Sequence, residues 1–252
     1  MLNVIELMLY KAYADLKAEA SRYYASILWW LVEPVIYMVA FYVVFGIVFK
    51  RGGPGFIPFL LCGLIVWKWF AGSVNQGSNA IIMHLGLIRQ IRLEKIILPG
   101  AALLNNCFHF FCAFSMYLVF LTIYGYKPSL SWIFLVPLIA IQFLLNSACG
   151  CLLSVIVPFV PDIRQLIEKL LMLGFFMSGI FFDINTISGS YRNFFLMNPM
   201  ARIIDGYRSI LLHDKAPHWG PFLFIALLSI CLIWAAQRLL KKFDRLYPKV
   251  MY

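Results

Sequence analysis

Apolar runs about as long as a membrane is thick alternate along this chain with short polar links. Six runs stand out, near 27–49, 57–80, 101–124, 131–156, 165–183 and 219–238. At 1.5 Å per residue, a helix of about 20 residues crosses a hydrocarbon core of roughly 30 Å. The runs are continuous rather than alternating, which excludes a membrane β-barrel. The pattern therefore predicts an all-α polytopic membrane protein with six transmembrane helices and one transmembrane domain over 1–252.

Three stretches break this pattern. In residues 1–23, Leu2, Ile5, Leu9, Ala12, Leu16 and Ala20 form an apolar stripe, with Lys11, Asp15, Glu19 and Arg22 off it. That spacing predicts an amphipathic helix lying flat in the membrane interface. Between the second and third runs, Ile81–Gly100 carries Arg89, Arg92, Glu94 and Lys95. It is too charged for a span and too periodic for a floppy loop, and it predicts a short amphipathic helix over 84–97, stopped by Pro99. The link 184–218 is long and mixed. Asn198 can cap a helix with Pro199 at its first position, and Ile203, Ile204, Tyr207, Ile210 and Leu211 then share one side. Short outer helices that dip back toward the membrane are expected there.

Composition agrees: 63% of the 252 residues are hydrophobic and 13% charged. The net charge of +10 does not imply nucleic acid, because the basic residues flank the apolar runs. With the N-terminus inside, thirteen Lys and Arg fall on the cytosolic side and seven outside. An even number of spans then leaves both termini in the cytosol. The acidic residues near the start argue against a cleavable signal peptide. The six cysteines lie in apolar runs without metal-site spacing, so packing is their expected role and no metal is expected.

Candidate chemistry is sparse. Glu33 sits before Pro34 inside the first run, either facing a wet pathway or near the cytosolic interface beside a basic partner. Tyr37, Phe41 and Phe45 are four apart and stack on one helix face. Tyr23, Tyr24, Trp29, Trp30, Trp67, Trp69, Trp132 and Trp219 read as an interfacial aromatic belt. Asn75, Gln76, Asn79, Asn105, Asn106, Gln142 and Asn146 are either glue between helices or the lining of a path for a hydroxylated substrate. No nucleotide-binding G-x-x-x-x-G-K-[ST] occurs, and no hydrolase or metalloprotease motif.

Four segments carry a family resemblance: ADLKAEASRYYASILWWLVEP (Ala14–Pro34), RLEKIILPG (Arg92–Gly100), PDIRQL (Pro161–Leu166) and NPMARIIDGYRSILL (Asn198–Leu212). With them the chain resembles the membrane subunits of type-2 ABC exporters that move bacterial cell-surface glycans such as O-antigen, capsule and wall teichoic acid. The resemblance implies a half-channel in the bacterial cytoplasmic membrane, paired with a second copy and two separate ATPase subunits. ATP and Mg would be bound by the ATPase, this chain carrying no cofactor of its own. It also implies that the segment 84–97 is the coupling helix, through His84, Leu85, Arg89, Arg92, Glu94 and Lys95, aided by Asp162 and Arg164. A lumen between the copies would be lined by Glu33, Tyr37, Phe41, Phe45, Phe175 and Phe176. Phe181, Phe182, Asn198, Arg202, Tyr207 and Arg208 would form the outer gate, and Arg22 would meet the diphosphate of a polyprenyl-linked polysaccharide. Two alternatives stand beside this reading: an exporter of a small lipid or drug with the same architecture, and a membrane-embedded transferase acting on lipid-linked sugars. An ion-coupled carrier would need an internal repeat and midplane ionisable groups, and neither is visible.

Overall fold

The computed structural model describes residues 3–22, 32, 35–37, 39, 40, 42–48, 55–90, 93–186, 190–244, 246 and 247. Helices α1 (Val4–Arg22), α2 (Phe56–Met83), α3 (Leu85–Gln90), α4 (Ile97–Tyr124), α5 (Leu135–Ile156), α6 (Ile163–Met177), α7 (Ser190–Met197), α8 (Pro199–Leu211) and α9 (Trp219–Lys242) follow in order. Among the described residues four helices are long and apolar enough to cross a membrane: α2, α4, α5 with the 3₁₀ turn that precedes it, and α9. The first expected span, 27–49, is described only in pieces, at 32, 35–37, 39, 40 and 42–48; its Tyr42–Val48 stretch winds as a wider π-type helix.

Three expected boundaries differ. The run 165–183 is not one helix. Helix α6 has 15 residues, and Gly179, with φ +70°, turns the chain just beyond it. The segment 84–97 is also divided, into the six-residue α3 and an irregular link through Leu93–Ile96. Pro99 does not stop a helix; it lies in the first turn of α4. There the missing N–H would have had no helical partner, and the fixed φ suits the turn. The expected amphipathic start forms helix α1, which packs against α4. A Cβ on Gly100 would meet Met8 Sδ at 2.7 Å, and nine residues on, His109 Nε2 lies 3.5 Å from Glu19 Oε2. Ile5, Leu9, Tyr10 and Tyr13 remain exposed on α1.

Helix α2 is the hub, touching α4, α5, α6 and α8. Glycines let it approach α5 backbone to backbone: a Cβ on Gly77 would come within 3.0 Å of Gly150 Cα. Close approach of this kind is how helices associate where lipid offers no hydrophobic drive. Gln142 and Asn146 of α5 are fully buried and donate to Val66 O at 2.9 Å and Ser73 Oγ at 3.4 Å. These two amides are glue between helices. Large apolar side chains that the protein leaves uncovered, such as Phe108, Phe111 and Ile123 on α4 and Leu223, Phe224 and Leu227 on α9, are placed to meet lipid.

Helix α8 sits inside this frame at the end where α2 begins. The expected cap is present: Asn198 Oδ1 accepts from Met200 N at 3.0 Å, with Pro199 first in the helix. Ile203, Ile204, Tyr207, Ile210 and Leu211 are all buried. Arg208, 3% exposed, donates to Phe59 O at 3.0–3.1 Å, to Gly179 O at 2.7 Å and to Ile180 O at 2.9 Å. Its guanidinium carbon lies 3.3 Å from the centre of the Phe59 ring. One side chain thus joins α8, the start of α2 and the turn after α6. The Phe59 carbonyl lies in the first turn of α2, where its second lone pair is open, and the Gly179 and Ile180 carbonyls are outside any helix, so a planar five-donor fork suits acceptors gathered away from water. At the same end Ser129 donates to the Asp214 carboxylate, and Ser131 donates to Ile210 O at 3.3 Å.

Arg208→Ala should therefore lower unfolding free energy by about 3 kcal/mol or more. Arg208→Lys should recover little of that loss, since one ammonium cannot span the three carbonyls. Thermal unfolding in detergent measures both. The Ser129 and Ser131 hydroxyls hold the Asp214 carboxyl below the usual aspartate range. A depressed carboxyl pKa contributes stability above its unfolded value, lost as pH falls through the folded value. Acidification below the ordinary aspartate range should free the 125–131 and 212–218 loops, read as faster amide exchange there, and Asp214→Asn should remove the pH dependence.

Candidate functional site

A cavity of about 810 Å³ opens among α1, α2, α4 and α6, with Tyr37 on its rim. Its walls combine two kinds of side chain. Tyr37, Trp67, Trp69, Phe110 and Phe175 present rings, while Asn75, Gln76 and Asn106 present carboxamides. Glu19, Lys68, His109 and Glu168 add ionisable groups of both signs.

The geometry follows from helix spacing. Gly72, Asn75 and Gln76 occupy adjacent turns of α2, facing Asn106 and Phe110, a turn apart on α4. Asn106 donates to Gln76 Oε1 at 2.8 Å and to Ala102 O at 2.9 Å. Asn79 donates to Asn75 at 2.9 Å. Trp69 stacks on Phe110, with centroids 4.0 Å apart and planes 14° from parallel. Trp67 leans on Phe175 at 6.2 Å, and a Cβ on Gly174 would meet its ring at 2.8 Å. Lys68 Nζ lies 4.6 Å from the Tyr37 ring centre. Rings of this kind accept the apolar faces of flat, hydroxylated molecules, and amides bond their hydroxyls. The arrangement suits binding and passage.

Of the expected lumen residues, Tyr37 and Phe175 line this cavity. Phe176 is exposed and packs edge-on against Phe175 at 5.3 Å. Glu33, Phe41 and the side chain of Phe45 lie outside the described residues, as does the side chain of Arg22. Trp67 and Trp69, expected in an interfacial belt, are instead buried within the bundle, since their helix starts early enough to carry them past the interface. The polar residues left ambiguous by sequence take both roles: Gln142 and Asn146 bind helices together, Asn75 faces the cavity, Gln76 and Asn106 do both, and Asn79 and Asn105 are buried outside its lining. Lys68 and Glu168 belong to the lining and had no expected role; their sign in the sequence was charge on otherwise apolar helix faces.

The expected outer-gate residues cluster at one end but do different work. Phe181 packs against Phe175 at 5.2 Å, and Phe182 against Phe195 at 5.1 Å. Asn198 is the α8 cap and also donates to Ser178 Oγ at 3.0 Å. Arg202 donates to Leu196 O. Tyr207 is fully buried, edge-on to Phe114 at 5.8 Å. With Arg208 it belongs to the packed interior, because both sit on the covered face of α8.

At the opposite end, Leu85 is half-buried, Ile88 is buried, and Arg89 and Glu94 are exposed. Arg92 lies outside the described residues. His84 joins the end of α2 to α1: Lys11 Nζ lies 3.2 Å from its Nε2, and its Nδ1 is 2.9 Å from Ala80 O. Lys95 turns inward. It is 7% exposed, donating to Leu93 O at 3.2 Å and pairing with Asp244 at 3.1 Å. Asp162 is exposed just before α6, with Arg164 half-buried in its first turn.

Four described helices long and apolar enough to cross a membrane, with α2 and α4 walling a largely apolar cavity that carries a few carboxamides, define an integral membrane protein. Residues 13–212 match the family model described as ABC-2 type transporter, and the chain belongs to that family. It is 28% identical, over 88% of its length and 86% of the relative's, to the O-antigen export system permease protein RfbA of Myxococcus xanthus. It is 27% identical to a protein of the same name from Klebsiella pneumoniae, over 79% of this chain and 77% of that one. To the polysialic acid transport protein KpsM of Escherichia coli it is 23% identical, over 76% and 75%.

The Gln76–Asn106 tie makes a checkable couple with Gly72. A Cβ at Gly72 would fall 2.6 Å from Asn106 Oδ1. Gly72→Ala should displace the carboxamide and cost about 1 kcal/mol. In an Asn106→Ala background the same change should be close to neutral. Thermal unfolding of the two singles and the double variant reads the coupling.

Proposed function

We propose that this chain is the channel-forming permease subunit of an ATP-driven exporter that moves lipid-linked polysaccharide, O-antigen above all, across the bacterial cytoplasmic membrane. Two copies pair and engage two copies of a separate ATP-binding subunit, which holds ATP and Mg. Both termini lie in the cytosol, as the bias of Lys and Arg favours. The observation that carries the reading is the ring-and-amide cavity. The names of the relatives support it. A row of carboxamides suits a hydroxylated cargo better than a small lipid or drug, and the relatives are named as export and transport proteins rather than transferases.

In this reading α3 and the link through Leu93 and Glu94, with His84, Leu85, Arg89 and Arg92, form the face that meets the ATPase; Asp162 and Arg164 flank it. Lys95 serves that face from within. When ATP closes the partner subunits, packed helices pass the shift on as rigid bodies. A long glycan slides best over many weak contacts, which stacked rings and single hydrogen bonds supply. Glu33, Tyr37, Phe41, Phe45, Phe175 and Phe176 contribute to its path, Phe181 and Phe182 to its exit. Arg22 meets the diphosphate of the lipid carrier at the entrance.

Gln76→Leu and Asn75→Leu each remove one hydroxyl partner, and each should lower export roughly fivefold, the equivalent of about one hydrogen bond, with ATPase association kept. Surface polysaccharide per cell, against the amount of assembled complex, measures this; export unchanged in the double variant would sink the proposed path. Separately, Arg89→Glu with Glu94→Lys should abolish co-purification of the ATP-binding subunit while the chain still folds.

A further inference from the structure

The end of α9 does more than leave the membrane. Phe243 N bonds Leu239 O at 3.0 Å, Asp244 N bonds Lys241 O at 3.4 Å, and Leu246 N bonds Phe243 O at 2.8 Å, so the tail folds back in tight turns. Its side chains then reach two different links. Asp244 pairs with Lys95 at 3.1 Å, and so holds the Leu93–Ile96 link ahead of α4. Tyr247, fully buried, donates to Val155 O at 3.4 Å, and its ring lies 5.2 Å from Phe159. Phe243 meets the same ring edge-on at 5.6 Å. That holds the 157–162 link between α5 and α6. Leu240, Tyr247, Ile88 and Leu98 share one buried cluster, so α3, α4, α5 and α9 are packed together there.

We propose that Phe243, Asp244 and Tyr247 act as a strap that makes the two partner-facing links one body. Asp244 and Tyr247 are its positioning residues, acting through Lys95 and Phe159. The proposal rests on the exporter reading, in which both links receive the ATPase. Without the strap, a push on α3 would move the start of α4 alone. With it, the push also reaches α5, α6 and α9. The Lys95 ammonium is nearly enclosed while Asp244 stays half exposed, so the pair is set by direction as much as by charge. The inward turn of Lys95 is what this geometry explains.

Amide exchange on the chain in lipid nanodiscs tests the strap without any partner. Phe159 and Val160 N–H groups bond Ile156 O; those of Ile97 and Leu98 bond Glu94 O and Lys95 O. Tyr247→Ala should speed exchange several-fold at both sets, and Tyr247→Phe should change little. Asp244→Lys should do the same as Tyr247→Ala, and adding Lys95→Asp should restore protection. In the complete exporter, Tyr247→Ala and Asp244→Lys should keep ATP hydrolysis but export several-fold less polysaccharide per ATP, and the charge-swapped pair should recover. Exchange that rises at one link only, or export per ATP at the wild-type level, overturns the strap. If the wild-type complex hydrolyses ATP yet exports no polysaccharide, the exporter reading falls instead, and the exchange arm alone decides the strap.

Discussion

The structure depends on a guanidinium placed where water is absent. Arg208 answers carbonyls from the start of α2 and from the turn after α6, with its flat face on Phe59. An exposed backbone acceptor at this depth would be costly. Helix α2 begins there and α6 has just ended, and one side chain donates to a first-turn carbonyl of the one and to the loop carbonyls that follow the other. Everything at this end is arranged around it: Gly63, where a Cβ would meet the guanidinium at 2.8 Å, the Asn198 cap, and the buried face of α8.

That fixed end and the strapped end bracket the ring-and-amide cavity. The contrast between them matters for transport. At one, polar bonds run from a single residue into two other segments. At the other, contacts pass through a side-chain pair and a buried ring. Between them lie rings that meet at 4.0–6.2 Å, contacts that tolerate small displacement more readily than directional bonds do. A path whose walls yield slightly while both ends hold suits a cargo that is long, repetitive and uncharged along much of its surface.

Much of this was legible in the chain. The apolar lengths of α2, α4, α5 and α9 are visible in single residues, and Asn198-Pro199 announced α8 correctly, because capping is a local rule. Pro99 misled for the same reason: proline both ends helices and begins them, and only the neighbouring turn decides. Trp67 and Trp69 were misplaced because belt and core tryptophans differ in depth by a turn or two, less than the error in a predicted span boundary. The inward turn of Lys95 was not readable at all. Its partner, Asp244, is separated from it by three long helices, and nothing in either local sequence names the other. The amides of α2, α4 and α5 were legible as polar but not as glue or lining, since that depends on which helix lies opposite.

At the contact of Gly77 with Gly150 no side chain stands between α2 and α5. Two backbones in such touch cannot slide past one another without lifting apart, so this pair behaves as a keel. Helix α6 has no such glycine pair: it leans on α2 through the Trp67 ring against Gly174 and Phe175 and through Ile167 beside Val74. A stroke delivered to the molecule would spend itself where resistance is least, swinging the short helix against the keel and widening or narrowing the throat beside Trp67.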